Sequence, residues 1–172
     1  GYSSSTGRAY LFYNDGSIPT TAATADVMIT GETTNNFFGI SLVSGDWNSD
    51  GRSDLIVGAH GYSSYTGQIY LYETRENFAW ELQQQPQPGS GIPRISANGT
   101  GQEMKITGEA GSSFGVFMTT GDLNNDGKGD LIVGAPGYSS GTGRVYIFYT
   151  DGSLATGATN ADVIITGETT DS

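Results

Sequence analysis

The feature that most constrains the fold of this chain is an internal repeat. The heptapeptide Gly-Tyr-Ser-Ser-x-Thr-Gly begins at Gly1, Gly61 and Gly137, and an aromatic-rich run follows each copy. Ile-Thr-Gly-Glu then recurs at Ile29, Ile106 and Ile165. Because the markers keep the same order, they indicate an architecture built from one repeated structural unit.

Each repeat contains segments with the composition of four β-strands. The first follows a Phe-Gly pair, and the second, Asp-Leu-Ile-Val-Gly-Ala, is apolar enough to be buried on both faces. The third is aromatic, and the fourth alternates and is expected nearer to solvent. Four antiparallel strands repeated in this way predict an all-β fold made of β-propeller blades. The 27 glycines among 172 residues agree with short strands joined by tight turns.

Residues 38–59 and 114–135 each begin with Phe-Gly and end with Gly-Ala, followed by His60 and Pro136. They resemble the FG-GAP repeats of integrin α-subunit propellers and of their bacterial and protist relatives. The resemblance covers nearly the whole chain and departs from the family at His60, where the family has Pro. It implies a propeller that lies outside the cytoplasm or at the cell surface, with calcium in its hairpin loops.

The markers divide the chain into about two and a half blades. Residues 1–36 correspond to the two outer strands of a half blade, residues 37–111 to one FG-GAP blade and residues 112–172 to another. The middle blade carries an insertion near 83–97, whose Pro, Gln and Gly residues favour a loop. Asn98-Gly-Thr beside it is an N-glycosylation sequon, so Asn98 is a candidate glycosylation site if the source is a eukaryotic secreted protein.

Two copies of an acidic loop precede the Asp-Leu-Ile-Val strands. Each copy has oxygen-bearing side chains at positions 1, 3, 5 and 9 and a glycine at position 6. Calcium prefers six to eight such hard oxygens, including backbone carbonyls, and position 7 could add one carbonyl. The loops lack the Glu at position 12 of an EF-hand and lead into a strand. We therefore predict two Ca²⁺ sites, one formed by Asp46, Asn48, Asp50, the carbonyl of Arg52 and Asp54, the other by Asp122, Asn124, Asp126, the carbonyl of Lys128 and Asp130.

A plain hairpin turn without metal is the alternative, because Asn, Asp and Gly dominate turns. The recurrence of the loop at equivalent repeat positions favours metal, since three carboxylates in each loop would otherwise repel one another. Mg²⁺ fits less well because it uses fewer protein ligands. The expected role of the ion is structural: it closes the turn between the two inner strands.

The remaining chemistry-bearing residues do not indicate an enzyme. His60 is the only histidine and occupies a turn position, and the chain has no cysteine, so neither a Ser-His-Asp triad nor a zinc site is indicated. Trp47 is expected to cover the first loop in preference to stacking on a sugar. The Tyr-Ser-Ser segments are expected to be turns that join the second strand of a blade to the third.

The net charge of −11 disfavours nucleic acid and anionic membranes as partners, and no segment reaches the length of a membrane span. The function expected is an extracellular calcium-binding module for adhesion or interaction, with a protein or glycan as ligand. The alternatives are a structural repeat protein of a cell-surface filament or coat, and an accessory domain of a secreted enzyme.

The two ends of the chain bear on how blades assemble. Residues 1–36 and 137–172 match at 24 of 36 positions, which favours a tandem array, whereas the family resemblance favours a closed ring of about seven blades. The strand near Arg8–Tyr13 is expected to lack an inner neighbour, and the strand near Asp162–Thr166 to need a following one. Because open edges are templates for pairing, we expect further copies to complete these sheets.

Overall fold

The computed structural model describes residues 5–13, 16, 21–47, 49–73, 94–96, 103–151 and 155–168. Within these ranges the chain forms strands joined by turns, with helical structure limited to single turns. The strands are β1 Arg8–Leu11, β2 Val27–Thr30, β3 Leu42–Gly45, β4 Asp54–Ala59, β5 Gln68–Tyr72, β6 Arg94–Ser96, β7 Glu103–Thr107, β8 Phe117–Gly121, β9 Asp130–Ala135, β10 Arg144–Phe148 and β11 Val163–Thr166. Short turns lie at Ala22–Thr24, Tyr62–Tyr65, Tyr138–Gly141 and Ala158–Asn160.

Two four-stranded antiparallel sheets form the body of the molecule. Their strand orders are β3-β4-β5-β7 and β8-β9-β10-β11. The registers are equivalent, since Val57 lies opposite Leu42 and Tyr70 just as Val133 lies opposite Met118 and Tyr146. The predicted all-β fold with four-stranded antiparallel blades is confirmed, and the Tyr-Ser-Ser segments join second to third strands as expected.

A third sheet has the order β1-β2-β6. Strand β6 comes from the predicted insertion and pairs in parallel with β2, so that Ile95 lies opposite Ile29. The sequence did not indicate this strand, because a three-residue strand has no readable periodicity. The insertion of one blade therefore adds a strand to the outer edge of the preceding sheet.

The expectation that every fourth strand lies near solvent is wrong for β2. Val27, Met28 and Ile29 are only 1%, 4% and 0% exposed. Val27 and Ile29 pack in one hydrophobic cluster with Phe38 and Tyr70 of the next blade. The expectation does hold for β11, whose Ile165 is 53% exposed. The alternating pattern shows which side of a strand is apolar, but not whether another blade covers it.

The Phe-Gly phenylalanines are wedged between consecutive blades. Phe38 packs edge-on against the ring of Tyr70 with centroids 5.2 Å apart, and Phe114 packs likewise on Tyr146 at 5.3 Å. On the other side, the Phe38 N–H donates to the carbonyl of Thr6 in the preceding blade, at 3.2 Å. Both phenylalanines are fully or almost fully buried. This repeated seam places the hairpin loops of successive blades side by side.

No helix in the described part of the chain has the length and hydrophobicity needed to cross a membrane.

Candidate metal centres

The two acidic loops connect the inner strands of consecutive blades, β3 to β4 and β8 to β9. Gly51 and Gly127 occupy position 6 with φ of +85° and +84°, a left-handed conformation that glycine adopts without steric cost. Ser49 and Asn125 are also left-handed, with φ of 59° and 61°. The loops therefore share a left-handed backbone at positions 4 and 6, although they differ in sequence at several positions.

In the first loop, the carboxylate at position 1 organises the backbone. Oδ1 of Asp46 accepts a hydrogen bond from the N–H of Asp50 at 3.0 Å, and Oδ2 accepts one from Gly51 at 2.8 Å. Oδ1 of Asp50 in turn accepts from the N–H of Arg52 at 2.9 Å. These bonds fold the loop around its acidic side chains. Asn48, the predicted ligand at position 3, lies outside the described residues.

The second loop repeats this pattern, and here the asparagine at position 3, Asn124, is also described. Oδ1 and Oδ2 of Asp122 accept from the N–H groups of Asp126 at 3.0 Å and Gly127 at 2.9 Å. Oδ1 of Asn124 also accepts from Asp126, and its Nδ2 donates to Oδ2 of Asp126 at 3.1 Å. The N–H of Lys128 donates to Oδ1 of Asp126 at 2.8 Å.

The carboxylate at position 9 lies at the base of each loop and is buried. Asp54 is 2% exposed and Asp130 is 0% exposed. Oδ2 of Asp54 accepts from the N–H of Trp47 at 3.0 Å, and Oδ2 of Asp130 accepts from Leu123 at 2.8 Å. A buried carboxylate is costly unless its oxygens are satisfied, so these bonds tie the two ends of each loop together.

Thr150 is a supporting residue of the second loop that the sequence did not identify. Its N–H donates to Oδ1 of Asp130 at 3.3 Å, and its hydroxyl donates to the carbonyl of Gly129 at 2.7 Å. The Nζ of Lys128 also donates to the Thr150 carbonyl, at 3.2 Å. Thr150 lies 20 residues beyond the loop in sequence, so only the antiparallel pairing of β9 with β10 brings it there.

The donor chemistry of the loops fits calcium, because carboxylate, amide and carbonyl oxygens are the ligands that this ion prefers. Each carboxylate oxygen that accepts one backbone hydrogen bond keeps a second lone pair for a cation. Across the described residues, however, no three acidic, histidine or cysteine side chains stand close enough together to hold an ion. The predicted ligands that the structure describes lie in the two loops, at the ends of the expected strands.

The two loops face each other across a small cavity of about 220 Å³. Asp46 and Trp47 line it from the first loop, and Gly127 and Lys128 line it from the second. Both candidate centres therefore lie on the same side of neighbouring blades.

Three further residues named in the sequence analysis are Trp47, His60 and Asn98. Trp47 is 4% exposed and packs in a hydrophobic core cluster, so its ring is not exposed for stacking on a sugar. His60 lies in the turn that follows β4, and its ring packs at a tilt between those of Phe37 and Tyr65. Asn98 lies outside the described residues.

Comparison with protein-family models finds the FG-GAP repeat at residues 38–72 and 114–148. Both matches begin at the wedged phenylalanine and end in the third strand of a blade. Each therefore contains one complete acidic loop.

Several curated proteins are similar to most of this chain. Integrin alpha-7 of Homo sapiens is 35% identical over 125 residues, which cover 72% of this chain and 9% of that protein. Integrin alpha-6 of Gallus gallus is 35% identical over 133 residues, 74% of this chain and 10% of the relative. Phosphatidylinositol-glycan-specific phospholipase D of Bos taurus is 35% identical over 121 residues, 64% of this chain and 13% of that protein. The chain thus spans roughly a tenth of the length of these relatives.

Proposed function

This chain is an FG-GAP repeat protein homologous to integrin α subunits, and on that premise we propose that it is an extracellular calcium-binding β-propeller module for adhesion or interaction. The observation that carries the proposal is the acidic hairpin loop, present twice at equivalent positions of two FG-GAP blades with the same left-handed backbone at positions 4 and 6. A protein or a glycan is the expected class of ligand.

Calcium would bind to the side-chain oxygens and the position 7 carbonyls of the two loops. In the first loop these are Asp46, Asn48, Asp50, Arg52 and Asp54, and in the second Asp122, Asn124, Asp126, Lys128 and Asp130. The ion supplies positive charge to loops that each hold three carboxylates. Since the loops join the two inner strands of a blade, a bound ion would stabilise the folded state by mass action.

Thermal unfolding tests this role. We expect the melting temperature to fall when the protein is treated with a chelator, to recover with Ca²⁺ and to recover less with the same concentration of Mg²⁺. Excess ligand at about 100 times Kd adds about 2.7 kcal/mol of stability. A melting temperature that is identical with chelator and with saturating Ca²⁺ contradicts the proposal.

Assembly with further copies is a second candidate function, and one observation favours it. Ile29 and Ile106 are 0% and 1% exposed, whereas the equivalent Ile165 is 53% exposed. Exposed apolar surface of this kind is a frequent site of association. Light scattering on the purified chain at micromolar concentration should show oligomers, and a cooperatively folding monomer would contradict this candidate.

We propose no hydrolase, transferase or redox activity for these residues. The single histidine lies in a turn and packs between two aromatic rings. No described contact joins it to an acidic or nucleophilic side chain. Assays with ester, glycoside and phosphate substrates test this point. Turnover that disappears in the His60→Ala variant would overturn it.

A further inference from the structure

A cavity of about 460 Å³ opens between the loop that leads into the second blade and the turn after β4. Its volume is within the range of small-molecule binding sites. Hydroxyl and amide side chains line it together with two aromatic rings, and none of its lining residues is charged. It is formed by different turns from those of the metal loops. The lining residues are Thr33, Thr34, Asn35, Asn36, Phe37, Gly61, Ser63, Ser64 and Tyr65.

The two aromatic rings that line this cavity, Phe37 and Tyr65, both pack against His60, which is not itself a lining residue. Phe37 and His60 have ring centroids 5.0 Å apart, and His60 and Tyr65 have centroids 5.8 Å apart. Tyr65 is 51% exposed, so part of its ring is free to contact a ligand. An exposed ring beside hydroxyl and amide groups offers one apolar surface and several hydrogen-bonding positions.

Two buried polar atoms have no hydrogen-bond partner in the part of the chain that the structure describes. They are Nδ2 of Asn36, a lining residue, and Nδ1 of His60, which packs against the two lining rings. Asn36 is only 4% exposed, and a buried donor left without a partner costs about 1–3 kcal/mol. Burial also lowers the pKa of His60, which keeps its ring neutral near pH 7. Both atoms are buried in this conformation, so a hydrogen bond to an uncharged ligand would require the Asn36 amide to rotate towards the cavity.

The next blade supplies an internal comparison. The carbonyl of Asn36 accepts from the N–H of Gly61 at 3.2 Å, and the carbonyl of Ser112 accepts from Gly137 at 3.0 Å, so the two loops are equivalent. At the corresponding places the second blade has no aromatic ring and no asparagine. Asn36, Phe37, His60 and Tyr65 are replaced there by Ser112, Ser113, Pro136 and Gly141. Three of these departures, Asn36, Phe37 and Tyr65, line the cavity, and the fourth, His60, packs against both of its aromatic rings.

The backbone at Tyr65 supports a functional reason for this residue. Its φ is 65°, a left-handed conformation that is unfavourable for a bulky side chain by about 1–2 kcal/mol. The equivalent positions hold Gly141 with φ of 100° and Ser5 with φ of 55°. Strained residues concentrate at binding sites, where a ligand contact can offset their cost.

From this geometry we propose that the cavity between residues 33–37 and 61–65 binds a neutral saccharide. A sugar ring has an apolar C–H face that can lie on Tyr65 and hydroxyl groups that can bond lining side chains such as Thr34, Asn35 and Ser64. The uncharged lining and the net charge of −11 disfavour an acidic sugar. This inference rests on the proposed interaction function and specifies its ligand class.

Saturation-transfer NMR on the calcium-loaded chain tests the proposal. The probes are the methyl glycosides of glucose, galactose and mannose at about 10 mM, above the Kd of about 1 mM that corresponds to −4.1 kcal/mol. N-acetylneuraminic acid serves as the charged comparison. We expect at least one neutral glycoside to receive saturation, mainly on one ring face, and its affinity to fall at least tenfold in Tyr65→Gly.

The second blade shows that this turn accepts glycine, so Tyr65→Gly is expected to fold. The variant carrying Asn36→Ser, Phe37→Ser, His60→Pro and Tyr65→Gly should lose the signal completely. Phe117→Ser, which alters an aromatic side chain that is 68% exposed on β8, should keep it. No saturation of any neutral probe, or equal saturation with Tyr65→Gly, overturns the proposal. A Ca²⁺ titration of the same samples separates this failure from failure of the calcium module itself.

Discussion

At the residue scale, the loop aspartates act on the backbone as well as through their charge. Asp126 accepts from Lys128 through Oδ1 and from the amide of Asn124 through Oδ2. An asparagine could keep the first of these bonds, because its carbonyl oxygen is also an acceptor. A hairpin turn alone would therefore tolerate asparagine at this position, whereas a calcium site would lose a carboxylate.

Asp126→Asn consequently separates the two interpretations of the loop. We expect the variant to lose little melting temperature when a chelator is present, because only the bond from the Asn124 amide is lost, and to gain less stability from Ca²⁺. A tenfold loss of affinity corresponds to about 1.4 kcal/mol. Asp50→Ala should show a larger calcium-dependent deficit than Asp15→Ala, a change outside the loops. A deficit that is equal with and without Ca²⁺ would indicate a turn residue only.

A second residue-scale prediction concerns Tyr146. Its hydroxyl donates to Oε1 of Glu109 at 2.6 Å, and burial together with this bond raises the pKa of Tyr146 above its usual value of 10.0. The raised pKa means that the folded state holds the Tyr146 proton more tightly than the unfolded chain does. The resulting stabilisation is complete below pH 10 and is lost as the pH rises further, because the tyrosine of the unfolded chain ionises at a lower pH than that of the folded chain.

We expect Tyr146→Phe to lower the unfolding free energy by about 1.5–3 kcal/mol at pH 7, the usual contribution of a hydrogen bond to a charged group. The difference between variant and wild type should shrink above pH 10. Urea unfolding between pH 8 and pH 11 measures it. A difference that stays constant over this range would show that the hydroxyl is not held by Glu109.

At the element scale, the strands and loops could be predicted from the sequence, but the contacts between blades could not. The repeat located the Asp54–Ala59 and Asp130–Ala135 strands, because their apolar runs and flanking turns are local signals. Strand β6 and the burial of β2 depend on which segments meet in space. The cavity beside Tyr65 could not be predicted for the same reason, since its residues come from two separate turns.

The seam between blades gives an element-scale prediction. A Cβ added at Gly108 would overlap Cβ of Phe114 and the carbonyl oxygen of Thr66, so the following blade would have to shift. Gly108→Ala should therefore cost about 1–3 kcal/mol, the range for overpacked cores. Gly121→Ala, with no atom within 4 Å of the added carbon, is the matched control and should change stability by less than about 0.5 kcal/mol. Equal effects at the two glycines would mean that the seam is loosely packed.

At the scale of the whole molecule, the same blade unit carries different sites on different turns. The β3–β4 and β8–β9 hairpins hold the candidate calcium loops, and both are alike. In the turn after β4, His60 packs against the rings of Phe37 and Tyr65. The equivalent turn after β9 has Pro136 and Gly141 in place of His60 and Tyr65. The two FG-GAP blades thus carry equivalent candidate metal loops, whereas the aromatic residues of the proposed saccharide site belong to one of them.

Isothermal titration calorimetry with Ca²⁺, on protein first stripped by a chelator, tests the central claim most directly. We predict binding with two ions per chain for the wild type. A single loop disabled by Asp46→Ala or by Asp122→Ala should leave one site, and the double variant none. Binding heat that is absent from the folded wild type, or unchanged in the double variant, would contradict the assignment of calcium to these loops.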